Sequence, residues 1–182
     1  MSLINFTSFP ILTTERLTLR QLSIDDQQNI FALRSDQEIN KFLDRPVARS
    51  VEDAINFINK VNDNVAKNNS IYWAITLSNT GIFVGTICLY GFSEENSSCE
   101  IGYELLTNFQ GQGIMKKAAE KVIQYAFNTL QFQKIIAVTH TDNQKSTGLM
   151  EKLNFIQSGE AIEANPDLKI YILTYLHTYI LT

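Results

Sequence analysis

Residues 108–120 read NFQGQGIMKKAAE. Gly111 and Gly113 open a stretch with helical periodicity, and Lys116 and Lys117 fall in its first turn, where the helix macrodipole already places positive charge. A bound anion would reverse the sign of that arrangement. Backbone N–H groups of Gly111, Gln112, Gly113, Ile114 and Met115 can wrap a pyrophosphate, glycine allowing the close approach, and Lys116 and Lys117 then become favourable. The same string is compatible with a tight turn followed by a solvated lysine face. It is not a P-loop, because no Gly-Lys-Ser/Thr follows, and not G-x-G-x-x-G, because Lys116 stands at the third glycine position.

Such a loop needs a strand before it and a helix after it. Residues 97–106 read as a strand, and residues 113–130 carry Met115, Ala118, Ala119, Val122, Ile123, Ala126, Phe127 and Leu130 at i, i+3, i+4 spacing, the pattern of an amphipathic helix. KIIAVTH, residues 134–140, is a nearly all-apolar strand for which burial on both faces is expected. Strand, helix, strand predicts a right-handed crossover between parallel strands. The loop then lies beyond their carboxyl ends, where open α/β sheets bind ligands. A further helix from about Asn143 to Leu153, capped by Asp142, ends at Asn154, which tolerates the left-handed conformation of a C′ residue.

The preceding half supplies the rest of the sheet. Residues 16–22 alternate as a strand, and Ser23 is placed to cap a helix through about Arg34. Ser50 with Asp53 starts a second helix bearing Ala54, Ile55, Ile58, Val61 and Val65. IYWAITL and IFVGTICLY flank the turn SNTG and should form an antiparallel hairpin, the 97–106 strand completing a meander. FIQSGEAI and a last strand near residues 169–176 close the chain; the tyrosine-rich end, IYILTYLHTYILT, can finish the sheet or pair with another chain. The expectation is an α/β fold with a mixed sheet of six to seven strands, antiparallel first and parallel at its centre.

Composition bounds the function. The 182 residues suit one domain with a full core, and 45% apolar against 19% charged residues is globular. Fifteen basic and nineteen acidic side chains leave a net charge of −4, the wrong sign for a nucleic-acid binder, so an anion site must be local. No apolar run suits a membrane helix and the opening MSLINFTSFP is no signal peptide; the expectation is a soluble cytoplasmic protein. Cys88 and Cys99 are expected reduced and buried, and no cluster has metal-ligand spacing, so no metal is expected.

Three strings in this order, ILTTERLTLRQLSIDD, FQGQGIM and IIAVTHTDNQKSTGLMEKLNF, resemble the GNAT superfamily of acetyltransferases, in the branch typified by ribosomal-protein N-terminal acetyltransferases. The resemblance spans residues 11–156 and implies the GNAT fold, one N-acetyltransferase domain over residues 1–182, and acetyl-CoA as acyl donor. The family's loop Q/R-x-x-G-x-G/A maps to Gln110, Gly113 and Met115, with Gly111 and Gln112 completing the cradle. Met115 departs from the usual small residue and is expected to narrow the turn. The resemblance further implies that the two parallel strands splay, so that the pantetheine arm pairs with backbone near Glu104, Leu105 and Leu106. Gly102 is consistent with a bulge there, or with a local kink alone. It also implies that Asn143 contacts the cofactor or acyl region and that Ser146 protonates the CoA sulfur; without it, both residues simply populate a helix start.

Acetyl transfer to an amine needs a neutral amine, a polarised thioester carbonyl and a proton for the departing thiolate. An α-amino group titrates near about 7.7–8.0 and lysine near about 10.4, so an N-terminal acceptor needs the lesser help. Glu100 is the first candidate for the base, through water; the competing reading is a solvent-facing carboxylate. His140, at the carboxyl end of the next parallel strand, is the second candidate. Trp73 and Tyr72 read as core and edge, and Tyr103 has no assigned role. The resemblance also implies that acceptor selection falls to residues 34–50 and 161–169. The leading function is acetylation of a primary amine, foremost a protein N-terminal α-amino group such as that of a ribosomal protein. The alternatives are a polyamine or aminoglycoside-like acceptor and a non-catalytic acyl-CoA-binding sensor. The partner is the amine acceptor, with no nucleic acid or membrane, and the chain is a monomer or homodimer.

Overall fold

Leu17 and Leu19 are buried while Thr18 and Arg20 are not, the alternation of a strand lying on a core. It recurs along the chain. The computed structural model describes residues 4–95 and 97–175. It contains strands β1 (Leu12–Thr13), β2 (Leu17–Gln21), β3 (Ile71–Leu77), β4 (Phe83–Ser93), β5 (Ser98–Leu105), β6 (Lys134–His140), β7 (Ile156–Ala161) and β8 (Leu168–Thr174). The helices are α1 (Gln27–Ser35), α2 (Gln37–Asn40), α3 (Val51–Ala66), α4 (Ile114–Asn128) and α5 (Gln144–Lys152). One mixed α/β sheet runs β1-β2-β3-β4-β5-β6-β8-β7. Among its pairings only β5 with β6 is parallel. The eight strands exceed the expected six to seven because β1 is a two-residue edge piece too short to show a period.

Helices cover both faces. On one, α4 presents Ile114, Met115, Ala118, Ala119, Val122, Ile123, Ala126 and Phe127 to Trp73, Ile87, Leu89, Ile101 and Ile135, and α5 adds Met150. Each large apolar side chain so buried contributes roughly 1.5–3 kcal/mol. On the other face, α1 and α3 pack Ile30, Leu33, Ala54, Ile58 and Val61 against Leu22 and Ala74. Ser50 and Asp53 form the expected capping box, Asp53 N–H donating to Ser50 Oγ at 3.2 Å and Ser50 N–H to Asp53 Oδ2 at 3.0 Å.

Local expectations shift in three places. Ser23 opens a single 3-10 turn, Ile24–Asp26, which leads into α1; buried Asp26 is gripped there by Arg20 at 2.8 and 2.7 Å. The cap of α5 is Asn143 and not Asp142: its Oδ1 accepts from Ser146 N–H at 3.1 Å. Strand β6 is buried on one face only, because the α1–α3 layer does not reach it; Ile135 and Ala137 are buried while Val138 is 40% exposed. Cys88 and Cys99 are free thiols on opposite faces of adjoining strands, a placement that forbids a bridge between them. Asn154 takes φ +62°, as expected of a C′ asparagine. The end of the tyrosine-rich stretch, residues 176–182, lies outside the described residues. Among the described residues no helix is long and apolar enough to cross a membrane.

Candidate active site

Strands β5 and β6 pair at Ser98/Lys134, Cys99/Ile135 and Glu100/Ile136 and then part, although β5 continues along β4 to Leu105 and β6 continues along β8 to His140. A wedge opens in the middle of the sheet. Leu106 N–H donates to Val84 O, which sets the alternation of the β4–β5 ladder: the even residues of β5 turn their backbone groups to β4, and the odd ones to the wedge. Tyr103 and Leu105 therefore present N–H and C=O groups to the opening, whereas the backbone of Glu104 and Leu106 faces β4. Leu105 O also accepts from Gln110 Nε2 at 3.0 Å.

Gly102 lies in an unbroken stretch of the ladder, so there is no bulge on β5. The irregularity falls on β4, between Tyr90 and Ser93, where Gly91 has φ +59°. A Cβ on Gly91 would come within 2.9 Å of Glu100 Oε1; the glycine makes room for that carboxylate. Glu100 and Glu104 share the face that carries α1 and α3, four residues or roughly 13 Å apart along the strand. Glu100 stands beside Tyr90 where the parallel ladder ends, and burial, with the Glu100 charge adding to it, pushes the Tyr90 phenol up.

At the wedge's mouth, residues 110–113 make a turn with Gly111 at φ +75° and Gly113 at φ +74°, and α4 starts without a side-chain cap. A Cβ added at either glycine meets nothing within 4 Å. Both glycines thus stand clear of other atoms at the uncapped N-terminus of α4, a setting in which a helix can receive an anion. Ile114 and Met115 point into the core, with Met115 7% exposed, so the methionine does not narrow the turn. Lys116 and Lys117 pair with Glu120 at 3.6 and 3.1 Å and remain partly or well exposed. Two cations that the sequence pattern did not single out join them: Lys145 Nζ donates to Gln110 Oε1 at 2.8 Å, and Arg16 Nη1 to Gln112 O at 3.4 Å. Gln110 thereby braces the end of β5 to α5.

Ser146, in the first turn of α5, lies 2.6 Å from the Tyr103 hydroxyl, on the opposite side of the sheet from Glu100. Burial pushes the Tyr103 phenol up to about 12, against a smaller downward pull from Ser146, so it stays protonated. The wedge thus separates a carboxylate on one face from a paired hydroxyl on the other. His140 accepts from Asp142 N–H on Nδ1 at 3.1 Å, and its ring lies 5.2 Å from that of Phe42. With Nδ1 accepting, Nε2 is the ring nitrogen left to carry the proton of the neutral imidazole.

Beside Glu100, the α1–α3 face holds a cavity of about 260 Å³. Its floor is Tyr72, Thr86, Cys88, Gly102 and Glu104, and its walls include Arg34, Leu43, Arg45 and Phe57. Glu104 spends its carboxylate on Arg45, Oε1 and Oε2 accepting from Nη1 and Nη2 at 2.5 and 2.7 Å. Arg45 Nε donates to Asn40 Oδ1 at 2.8 Å, so the loop after α2 is tied across the cavity. The sequence pointed to residues 34–50 as selecting the acceptor but offered no signal for this ion pair, whose members stand 59 positions apart. Among the described residues no group of His, Cys, Asp and Glu could hold a metal.

Residues 16–156 match the model of a family described as acetyltransferase (GNAT) domain. The chain is 33% identical over 151 residues to the uncharacterized N-acetyltransferase YoaA of Bacillus subtilis strain 168, covering 83% of this chain and 85% of that one. Its fold is similar to ribosomal-protein-S5-alanine acetyltransferase from Vibrio fischeri, with a TM-score of 0.78 and 19% identity over 91% and 96% of the two chains. It is also similar to the microcin C7 self-immunity acetyltransferase MccE in complex with acetyl-CoA and AMP, with a TM-score of 0.77 and 22% identity over 88% and 93%.

Proposed function

This chain belongs to the GNAT acetyltransferases and is an acetyl-CoA-dependent N-acyltransferase, and on that premise we propose that its acceptor is the N-terminal α-amino group of a protein, such as a ribosomal protein, in the cytoplasm. The observation that carries the proposal is the wedge between β5 and β6, with Glu100 on one face and Ser146 on the other. Acetyl-CoA brings a thioester carbonyl and a thiolate leaving group. The open amides of Gly111, Gln112, Gly113, Ile114, Met115 and Lys116 hold its pyrophosphate, Gln110 and Asn143 shape the mouth, and the wedge-facing backbone of Tyr103 and Leu105 receives the pantetheine arm.

The acceptor enters from the cavity on the α1–α3 face. Glu100, through water, takes the proton that the amine must lose, and Ser146, oriented by Tyr103, supplies the proton that the departing sulfur needs. Attack from one face and departure toward the other follow from placing base and acid on opposite sides of the sheet. An α-amino group titrating near about 7.7–8.0 asks less of a solvated carboxylate than a lysine does, which favours Nα over Nε. Incubation with acetyl-CoA and peptides that carry both a free α-amine and an internal lysine, followed by tandem mass spectrometry, tests this. Acetyl groups on the α-amine are expected; acetylation confined to lysine, or to added polyamines, would reject the acceptor.

A further inference from the structure

The cavity beside Glu100 carries a charge that acetyl transfer by itself does not require. Glu104 and Arg45 neutralise each other, and the three guanidinium nitrogens of Arg45 are all engaged, two with Glu104 and one with Asn40. Arg34 is different. It sits in the last turn of α1, lines the same cavity, and holds its guanidinium carbon 3.9 Å above the centre of the Phe57 ring. Among the described residues no carboxylate pairs with it. Burial and the neighbouring Arg45 both disfavour its charge, which the nearby Glu104 only partly offsets. Stacking on Phe57 leaves the guanidinium edge, with its fork of donors, unspent.

The result is a cavity polarised along β5. Tyr90 lines the end opposite Glu104, and just past it, outside the lining, stands the Glu100 carboxylate, suited to an ammonium group before deprotonation. At the Glu104 end a neutral ion pair and the uncompensated Arg34 leave net positive charge. Phe57, Leu43 and Tyr72 strip water from that end, which strengthens a hydrogen-bonded ion pair formed there and penalises a second cation.

Resting on the acetyl-transfer reading above, we propose that Arg34 is a specificity residue and that the amine this enzyme acetylates carries a carboxylate, which pairs with Arg34 while the amine lies toward Glu100. A free amino acid with a side-chain carboxylate and a peptide with an acidic residue at its N-terminus offer the same chemistry. Polyamines, with cations at both ends, are selected against.

Calorimetric titration of the CoA-saturated enzyme with shape-matched pairs that differ by one charge tests this without relying on turnover. The pairs are peptides beginning with Asp or Asn and with Glu or Gln, free glutamate or glutamine, and spermidine as the polycation. The anionic member should bind about tenfold tighter, the scale of one charge-assisted hydrogen bond. That preference should fall toward unity in Arg34→Met and return in part in Arg34→Lys. Tighter binding of the peptides identifies a protein N-terminus as the source, and tighter binding of free glutamate identifies a small amino acid; either supports the proposal. Equal affinity within the pairs, no binding of any anionic member, or tightest binding of spermidine overturns it. These comparisons use the unaltered enzyme, so they stand even where an Arg34 variant fails to fold. A thermal melt of the same enzyme with acetyl-CoA separates the two readings: absence of stabilisation would count against the donor site and not against the charge preference.

Discussion

Ser146 depends on a partner that no local pattern announces. Its hydroxyl meets that of Tyr103, 43 positions away, across the wall of the wedge. With the phenol pushed up to about 12 by burial, Tyr103 keeps its proton at neutral pH and can donate to Ser146, leaving the serine proton for the leaving sulfur in the proposed reaction. Ser146→Ala should therefore lower kcat by roughly 10²-fold, with acetyl-CoA affinity nearly intact, and Tyr103→Phe should produce a smaller loss of the same kind. Steady-state rates read with calorimetric affinities check both; an unchanged kcat in Ser146→Ala would remove the serine from the mechanism. Glu100 and Ser146 were singled out from the sequence because strand order and the family resemblance pointed to them, and the structure sets them on opposite faces of the sheet. Tyr103 was not, since alternation along β5 gives its face without naming the residue that α5 brings to it.

At the scale of elements, the site is built from interruptions. The parallel ladder stops after three paired positions, β4 bulges at Gly91 to admit Glu100, and α4 begins uncapped at a left-handed glycine. Gly113→Val places a β-branched residue at φ +74°, which should cost about 1–2 kcal/mol of stability and weaken acetyl-CoA binding; denaturant unfolding and calorimetry read the two effects separately. Glu104→Ala leaves Arg45, 19% exposed, without its carboxylate, and should destabilise the protein by roughly 2 kcal/mol in urea unfolding while loosening the loop after α2. Helical and strand periods were enough to order the meander, α4, β6 and α5. They missed the exact cap of α5 because two adjacent residues, Asp142 and Asn143, are both good caps. They overstated the burial of β6 because an apolar strand does not reveal whether helices cover one face or two.

Across the whole molecule, the buried thiols and phenols act in one direction. Desolvation pushes the Cys88 and Cys99 thiols up to about 12 and raises the Tyr72, Tyr90 and Tyr103 phenols. Folded pKa values above those of the unfolded chain mean stability that is complete below about pH 8.5, where free thiols begin to ionise, and that declines as pH rises through the folded values. Melts between neutral pH and pH 11 should show a steady fall in Tm above about pH 9; a flat profile would contradict the burial of these groups. Charge is also organised at this scale: a chain of net charge −4 gathers Arg16, Lys116, Lys117 and Lys145 around one glycine turn. The central claim, that this turn and the wedge behind it hold acetyl-CoA, is met most directly by residue-resolved hydrogen exchange with and without acetyl-CoA. Protection confined to the amides of Gly111, Gln112, Gly113, Ile114, Met115 and Lys116 and to the wedge-facing amides of Tyr103 and Leu105 is the predicted result, and protection elsewhere with these amides unchanged would contradict it.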